Sequence, residues 1–126
     1  MASTDEIGKK YVELCRQSKN LEALDTLFRK DAESVEAVGN ETMPKVMKGV
    51  EAIRGKNEWW VNNHEIHGGG VKGPFPNGDR FAVIFDFDVT PTSGPMKGKR
   101  MKMEEVGLFT VEGGKIVREE FFYTMG

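Results

Sequence analysis

The chain contains a single cysteine, Cys15, among 126 residues. An intrachain disulfide is therefore excluded, and a cysteine-built metal site has no second ligand of its kind. Histidine is almost as scarce, with only His64 and His67. Their spacing in His64-Glu65-Ile66-His67 is not the H-E-x-x-H of a zinc hydrolase and no third ligand accompanies them, so neither a metal nor another cofactor is expected. No apolar run approaches the ~18 residues of a spanning helix, which argues against a membrane partner. A basic surplus is also missing: 18 Lys and Arg stand against 20 Asp and Glu. Binding to a phosphate backbone rests on such a surplus, so no nucleic-acid partner is expected. The one basic run, Lys97, Lys99, Arg100 and Lys102, has no aromatic residues between its charges and reads as a solvated hairpin. There is no phosphate-binding loop, dinucleotide fingerprint or G-x-S-x-G elbow. The first six residues are acidic and lack the basic and apolar regions of a secretion signal, so a cytoplasmic location is expected.

What is present is an ordinary globular composition, 38% hydrophobic and 30% charged, in a length that suits one domain over residues 1–126. A domain of this size buries roughly two-thirds of its unfolded surface and needs no cross-link to fold. The first half reads as helical. Ser3 and Glu6 form a capping box ahead of Ile7, Tyr11, Leu14 and Cys15 at helical spacing. Asn20 is placed as the cap of a shorter helix bearing Leu21, Leu24, Leu27 and Phe28. A strand is expected from Ala32 to Val38, a turn at Gly39-Asn40, and an edge strand from Thr42 to Lys48 with Pro44. A third helix follows from Val50 to Asn62, with Val50, Ile53 and Trp60 on one stripe. The second half reads as four strands, His64–Gly73, Arg80–Thr90, Lys99–Val111 and Lys115–Tyr123, the last two joined at Gly113-Gly114. The expected class is α+β: a curved, mostly antiparallel sheet with its three helices, all from the N-terminal half, over one face.

A two-residue turn at Gly113-Gly114 fixes an expected register, since side chains alternate along a strand. Val111 then faces Ile116 and Phe109 faces Arg118. One face collects Met101, Met103, Glu105, Gly107 and Phe109 with Arg118, Glu120 and Phe122, beside Phe85 and Phe87 of the preceding strand. Charged groups on an aromatic face need partners or a function, because burying an unpaired charge is costly. A pocket walled by Trp60, Phe85, Phe87, Met103 and Phe122 is one reading, and an Arg118–carboxylate ion pair plus one exposed glutamate near the sheet edge is the other. The opposite face is expected to show Val106, Leu108, Val117 and Phe121, an apolar patch with no helix left to cover it. A homodimer through that patch is therefore expected.

Four segments carry a resemblance: Tyr11-Val12-Glu13-Leu14, Leu27-Phe28-Arg29-Lys30-Asp31-Ala32, Gly49-Val50-Glu51-Ala52-Ile53 and Gly114-Lys115-Ile116-Val117. With the order of elements, they resemble the nuclear transport factor 2-like superfamily, in its SnoaL-like and ketosteroid-isomerase-like branch. The resemblance implies a cone-shaped, cystatin-like fold with a deep apolar pocket for a small apolar molecule, commonly dimeric through its sheets. Ketosteroid isomerases of this branch use a helix-one tyrosine, a carboxylate base after the second helix and a protonated acid on a later strand. Tyr11 matches the first of these, and Glu36 falls where the base would lie. The third aligns with Gly107, which carries no acid, while Glu105 lies two residues upstream on the same face.

Two functions of different classes follow. In one, the protein is a proton-transfer enzyme (isomerase, cyclase or lyase) acting on a small apolar carbonyl compound. Glu36 is then the base, Tyr11 with a protonated Glu105 or Glu120 donates hydrogen bonds to the enolate, and Arg118 orients a carboxylate or an anionic substrate group. In the other, it is a non-catalytic ligand-binding or dimerisation module.

Overall fold

The computed structural model describes residues 2–39 and 43–124. Helix α1 spans Thr4–Arg16, and Ser3 caps it: its side chain accepts from the Glu6 N–H while the Glu6 carboxylate accepts from the Ser3 N–H. Helix α2 covers Asn20–Leu27. Here the expected cap moves: Asn20 is already helical, and Lys19 holds the cap position without a side-chain hydrogen bond. Helix α3 spans Val50–Asn62 as its periodicity predicts.

The strands are β1 (Phe28–Val35), β2 (Val46–Lys48), β3 (His64–Asn77), β4 (Arg80–Pro91), β5 (Met101–Glu112) and β6 (Lys115–Phe122). Strand β1 starts earlier and stops sooner than its pattern suggests. Pro44 precedes the short β2 rather than lying within it. Asn40 of the expected turn and Thr42 at the expected start of the edge strand fall outside the described residues. The six strands form one curved, unclosed sheet in the order β2-β1-β6-β5-β4-β3. All pairings are antiparallel except β1 with β6, which run parallel.

The helices cover one face, where the core is strongly aromatic. Phe81 and Phe109 are fully buried and stack with ring centroids 4.9 Å apart. Tyr11 packs on Phe109 at 4.6 Å and meets Phe85 edge-on at 6.5 Å. These rings fill the interior between α1 and the sheet, where the resemblance implies a deep pocket.

The hairpin of β5 and β6 turns at Gly113-Gly114, both with positive φ, and pairs Glu112 with Lys115 and Val111 with Ile116. The next pair is Thr110 with Arg118, so Val117 is an extra residue in β6. This bulge corrects the expected register. One additional residue exchanges the two faces of everything beyond it. Phe109 pairs with Glu119 instead of Arg118, Leu108 with Glu120, Gly107 with Phe121 and Val106 with Phe122.

Candidate functional site

The bulge decides which charges reach the helix-covered face. Glu119 pairs with the fully buried Phe109, retains 4% of its surface, and carries Phe121 inward with it. Arg118, Glu120 and Phe122, expected on this face, turn to the opposite one, although Glu120 and Phe122 still line a cleft at the end of the sheet. On that opposite face Arg118 donates to Glu120 at 2.5 Å and to Glu33 at 3.0 Å, and Phe122 is 52% exposed. Glu105 stays where alternation puts it, opposite Phe85 on β5, and Met103 stays opposite Phe87. Glu36 follows directly on the end of β1, two residues beyond the buried Ser34.

Lys56 of α3 binds this group together. It lies three residues after Ile53 and four before Trp60, a helical spacing that turns it toward the sheet. Only 9% of it is exposed. Its ammonium donates to the Ser34 hydroxyl at 2.5 Å and lies 3.6 Å from Glu36 Oε1 and 3.8 Å from Glu119 Oε1. It also stands 4.9 Å above the centre of the Phe121 ring. Ser34 in turn donates to Glu119, its register partner across the parallel β1–β6 pair. Glu36 Oε2 is buried and has no hydrogen-bond partner among the described residues.

Burial in this aromatic setting dominates the acidities. It pushes the Glu105 carboxyl up to about 7, with the Glu36 charge adding to the rise and Lys56 opposing it. Glu119 is raised by burial too, against the pull of Lys56 and Ser34. Tyr123, just past β6, is pushed up to about 12 by burial and by Glu36 and Glu105, and its oxygen accepts from the backbone of Ala37 and Val38. Burial also raises Tyr11 well above the usual phenol and Cys15 to about 11, and these two side chains hydrogen-bond to each other.

A cleft of about 570 Å³ opens at this end of the sheet, lined by Val35, Glu36, Ala37, Lys45 and the stretch from Glu120 to Thr124. Glu36 belongs to both the cleft and the buried cluster. Trp60 stacks on His64 at 4.3 Å and leans on Phe87 at 5.1 Å, while Phe85 belongs to the core and lies parallel to Phe87. Among the described residues, no group of three or more His, Cys, Asp and Glu could hold a metal ion.

Gly107 explains why the expected third acid is absent. A Cβ there would meet the Phe109 ring at 2.8 Å and the Phe85 ring at 3.1 Å. The rings occupy the space that an aspartate side chain would need. Gly107→Ala should accordingly cost about 1–3 kcal/mol by overpacking, read from urea denaturation. An unchanged midpoint would show that the rings are free to move aside.

Sequence reasoning missed Lys56, Ser34, Glu119 and Tyr123 as members of the cluster. Lys56 alone left a legible signal, a charge at a core position of the α3 stripe.

Comparisons with known proteins agree with this architecture. A family model described as a SnoaL-like domain matches residues 2–123. A Mesorhizobium loti crystal structure, named as a candidate SnoaL-like polyketide cyclase, is 45% identical with a TM-score of 0.89, covering 97% of this chain and 100% of its own. A Burkholderia thailandensis NTF2-like protein superimposes with a TM-score of 0.80 at 16% identity, over 98% of this chain and 92% of its own. A Catenulispora acidiphila protein with a ketosteroid isomerase-like fold, solved with trimethylamine, gives a TM-score of 0.70 at 20% identity, over 98% and 88%. The last two speak for the fold alone. No curated protein matches the chain. With a family match over nearly its whole length and a relative 45% identical over 97% of it, the chain belongs to the SnoaL-like domain family.

Proposed function

We propose that the protein is a proton-transfer enzyme, an isomerase, cyclase or lyase, acting on a small apolar carbonyl compound. The observation that carries this reading is the convergence of Glu36, Glu105, Glu119 and Lys56 on an aromatic face beside an open cleft. Glu36 lines the cleft with 27% of its side chain exposed, and it is the base, taking a proton from the carbon next to the carbonyl. Glu105, with an acidity near neutrality, is the acid that donates a hydrogen bond to the developing enolate oxygen. Tyr123 at the cleft is a second donor, in the role first expected of Tyr11, whose hydroxyl is engaged with Cys15. Trp60, Phe87, Met103 and Phe121 form the apolar wall that excludes water and keeps these charges effective. A thermal-shift screen of ketosteroids, small aromatic carbonyls and fatty acids, followed by turnover assays on whatever binds, tests the reading. Binding of carbonyl compounds with no turnover of any would favour the non-catalytic module, which the ring-filled interior also suits.

The homodimer is part of the same proposal, with its surface revised. Phe121 leaves the expected patch for the interior, and Phe122 joins Ile84, Val106 and Leu108 on the uncovered face, since Val106 pairs with both Ile84 and Phe122. A second copy of the sheet is the partner, with Asp86, Arg100, Lys102 and Glu104 toward the rim. Leu108→Arg is expected to give a folded monomer or an aggregate by light scattering behind a sizing column. A wild-type chain of monomer mass at micromolar concentration would contradict the dimer.

A further inference from the structure

The cluster holds more acids than bases, and their placement around Lys56 is unequal. From β1 and its end come Ser34 and Glu36, from β5 Glu105, and from β6 and just beyond it Glu119 and Tyr123. Strand β4 contributes apolar side chains on this side, Phe85 and Phe87 nearest Glu105 and Met103, α1 contributes Tyr11 and Cys15, and Lys45 lines the cleft with Glu36. The Lys56 ammonium is within ion-pair distance of Glu36 and Glu119, and the Ser34 hydroxyl ties it a second time to Glu119. Glu105 forms no ion pair with Lys56 and faces Phe85 instead. Three buried or half-buried carboxyl groups cannot all ionise at little cost around one ammonium, so one proton remains in the cluster.

We infer that Lys56 is a positioning residue that determines which carboxyl group carries this proton: it pairs with Glu36 and Glu119 and leaves Glu105, with which it forms no ion pair, as the acid. This rests on the proton-transfer reading for its consequence, because it makes Glu36 the base and Glu105 the donor rather than the reverse. Its cause is electrostatic and exists without any substrate. An opposite charge at this range stabilises the ionised carboxylate, and burial between α3 and the sheet limits screening by salt. The aliphatic stem of Lys56 fills space over Phe121, so a purely packing role is the rival account.

Lys56→Met retains the stem and removes the charge. Carboxyl-resolved NMR titration of the wild type, Lys56→Met and Lys56→Arg separates the two accounts. In Lys56→Met the Glu119 midpoint, which loses its ion-pair partner, should rise by about one pH unit or more and by more than that of the unpaired Glu105. In Lys56→Arg, which restores the charge, both should return toward the wild-type values. Unchanged midpoints in a folded Lys56→Met protein would overturn the assignment. If that variant is unfolded at neutral pH, its denaturation is followed from pH 4 upward. Its deficit against wild type should then grow as the carboxyl groups ionise, whereas a deficit independent of pH would make Lys56 a packing residue. None of these readouts involves turnover, so an inactive protein would refute the proposed function and leave this assignment standing.

Discussion

Glu36→Gln is expected to lower turnover by ~10²-fold or more while changing ligand affinity little. The substitution preserves size and removes the ability to take a proton. Glu36 is the one acid of the cluster that also lines the cleft, and its buried Oε2 lacks a partner among the described residues. Glutamine keeps an acceptor oxygen for Lys56, so the fold should tolerate the change. The signature is a fall in kcat with KM nearly constant, as expected for a group whose contribution is made in the transition state. Undiminished kcat in the folded variant would remove Glu36 from the mechanism and point to Glu105 as the base.

The second large effect is on stability, and it needs no substrate. Folding raises the Glu105 carboxyl to about 7 from an ordinary value near 4.5. A group whose folded pKa is raised contributes stability that is fully present below about pH 4.5 and is lost as the pH rises through about 7. The loss for such a shift is up to about 3 kcal/mol. Glu105→Gln cannot ionise and does not suffer it. Between pH 4.5 and 8.5 the Tm of wild type should therefore fall relative to that of Glu105→Gln, by roughly 10 °C for a domain of this size. Melting curves that stay parallel across the range would show that Glu105 is well solvated. They would also take the acid of the proposed mechanism away.

The elements were largely legible from sequence because their signals are local. The Ser3–Glu6 capping box, the stripe of Ile7, Tyr11 and Cys15, the strict alternation from Phe81 to Val89 and the Gly113-Gly114 turn each correspond to observed structure. The half of the site that lies on β6 was not legible, for a specific reason. Glu119-Glu120 and Phe121-Phe122 are doublets, so the pattern reads equally well in either of two registers one residue apart. The bulge at Val117 selects between them, and nothing in the strand's own composition announces it. It buries Glu119 with Phe121 and sends Arg118, Glu120 and Phe122 to the other face, so the expected pocket charges and the expected dimer patch exchanged members together. Residues on strands before the bulge, Glu105, Phe85, Phe87 and Met103, stand on the expected face. The parallel pairing of β1 with β6 is a long-range contact with no local signature, yet it sets Ser34 beside Glu119 and brings Glu36 to the cluster.

The central claim is that this cluster moves a proton to and from carbon, and one measurement addresses it without knowledge of the natural substrate. A small apolar ketone found to bind by thermal shift is incubated with the protein in deuterium oxide, and loss of its α-proton signals is followed by NMR. The account predicts exchange well above the buffer rate with wild type, reduced by ~10²-fold or more with Glu36→Gln. Exchange at the buffer rate, with the ketone saturating the wild-type protein, would contradict it.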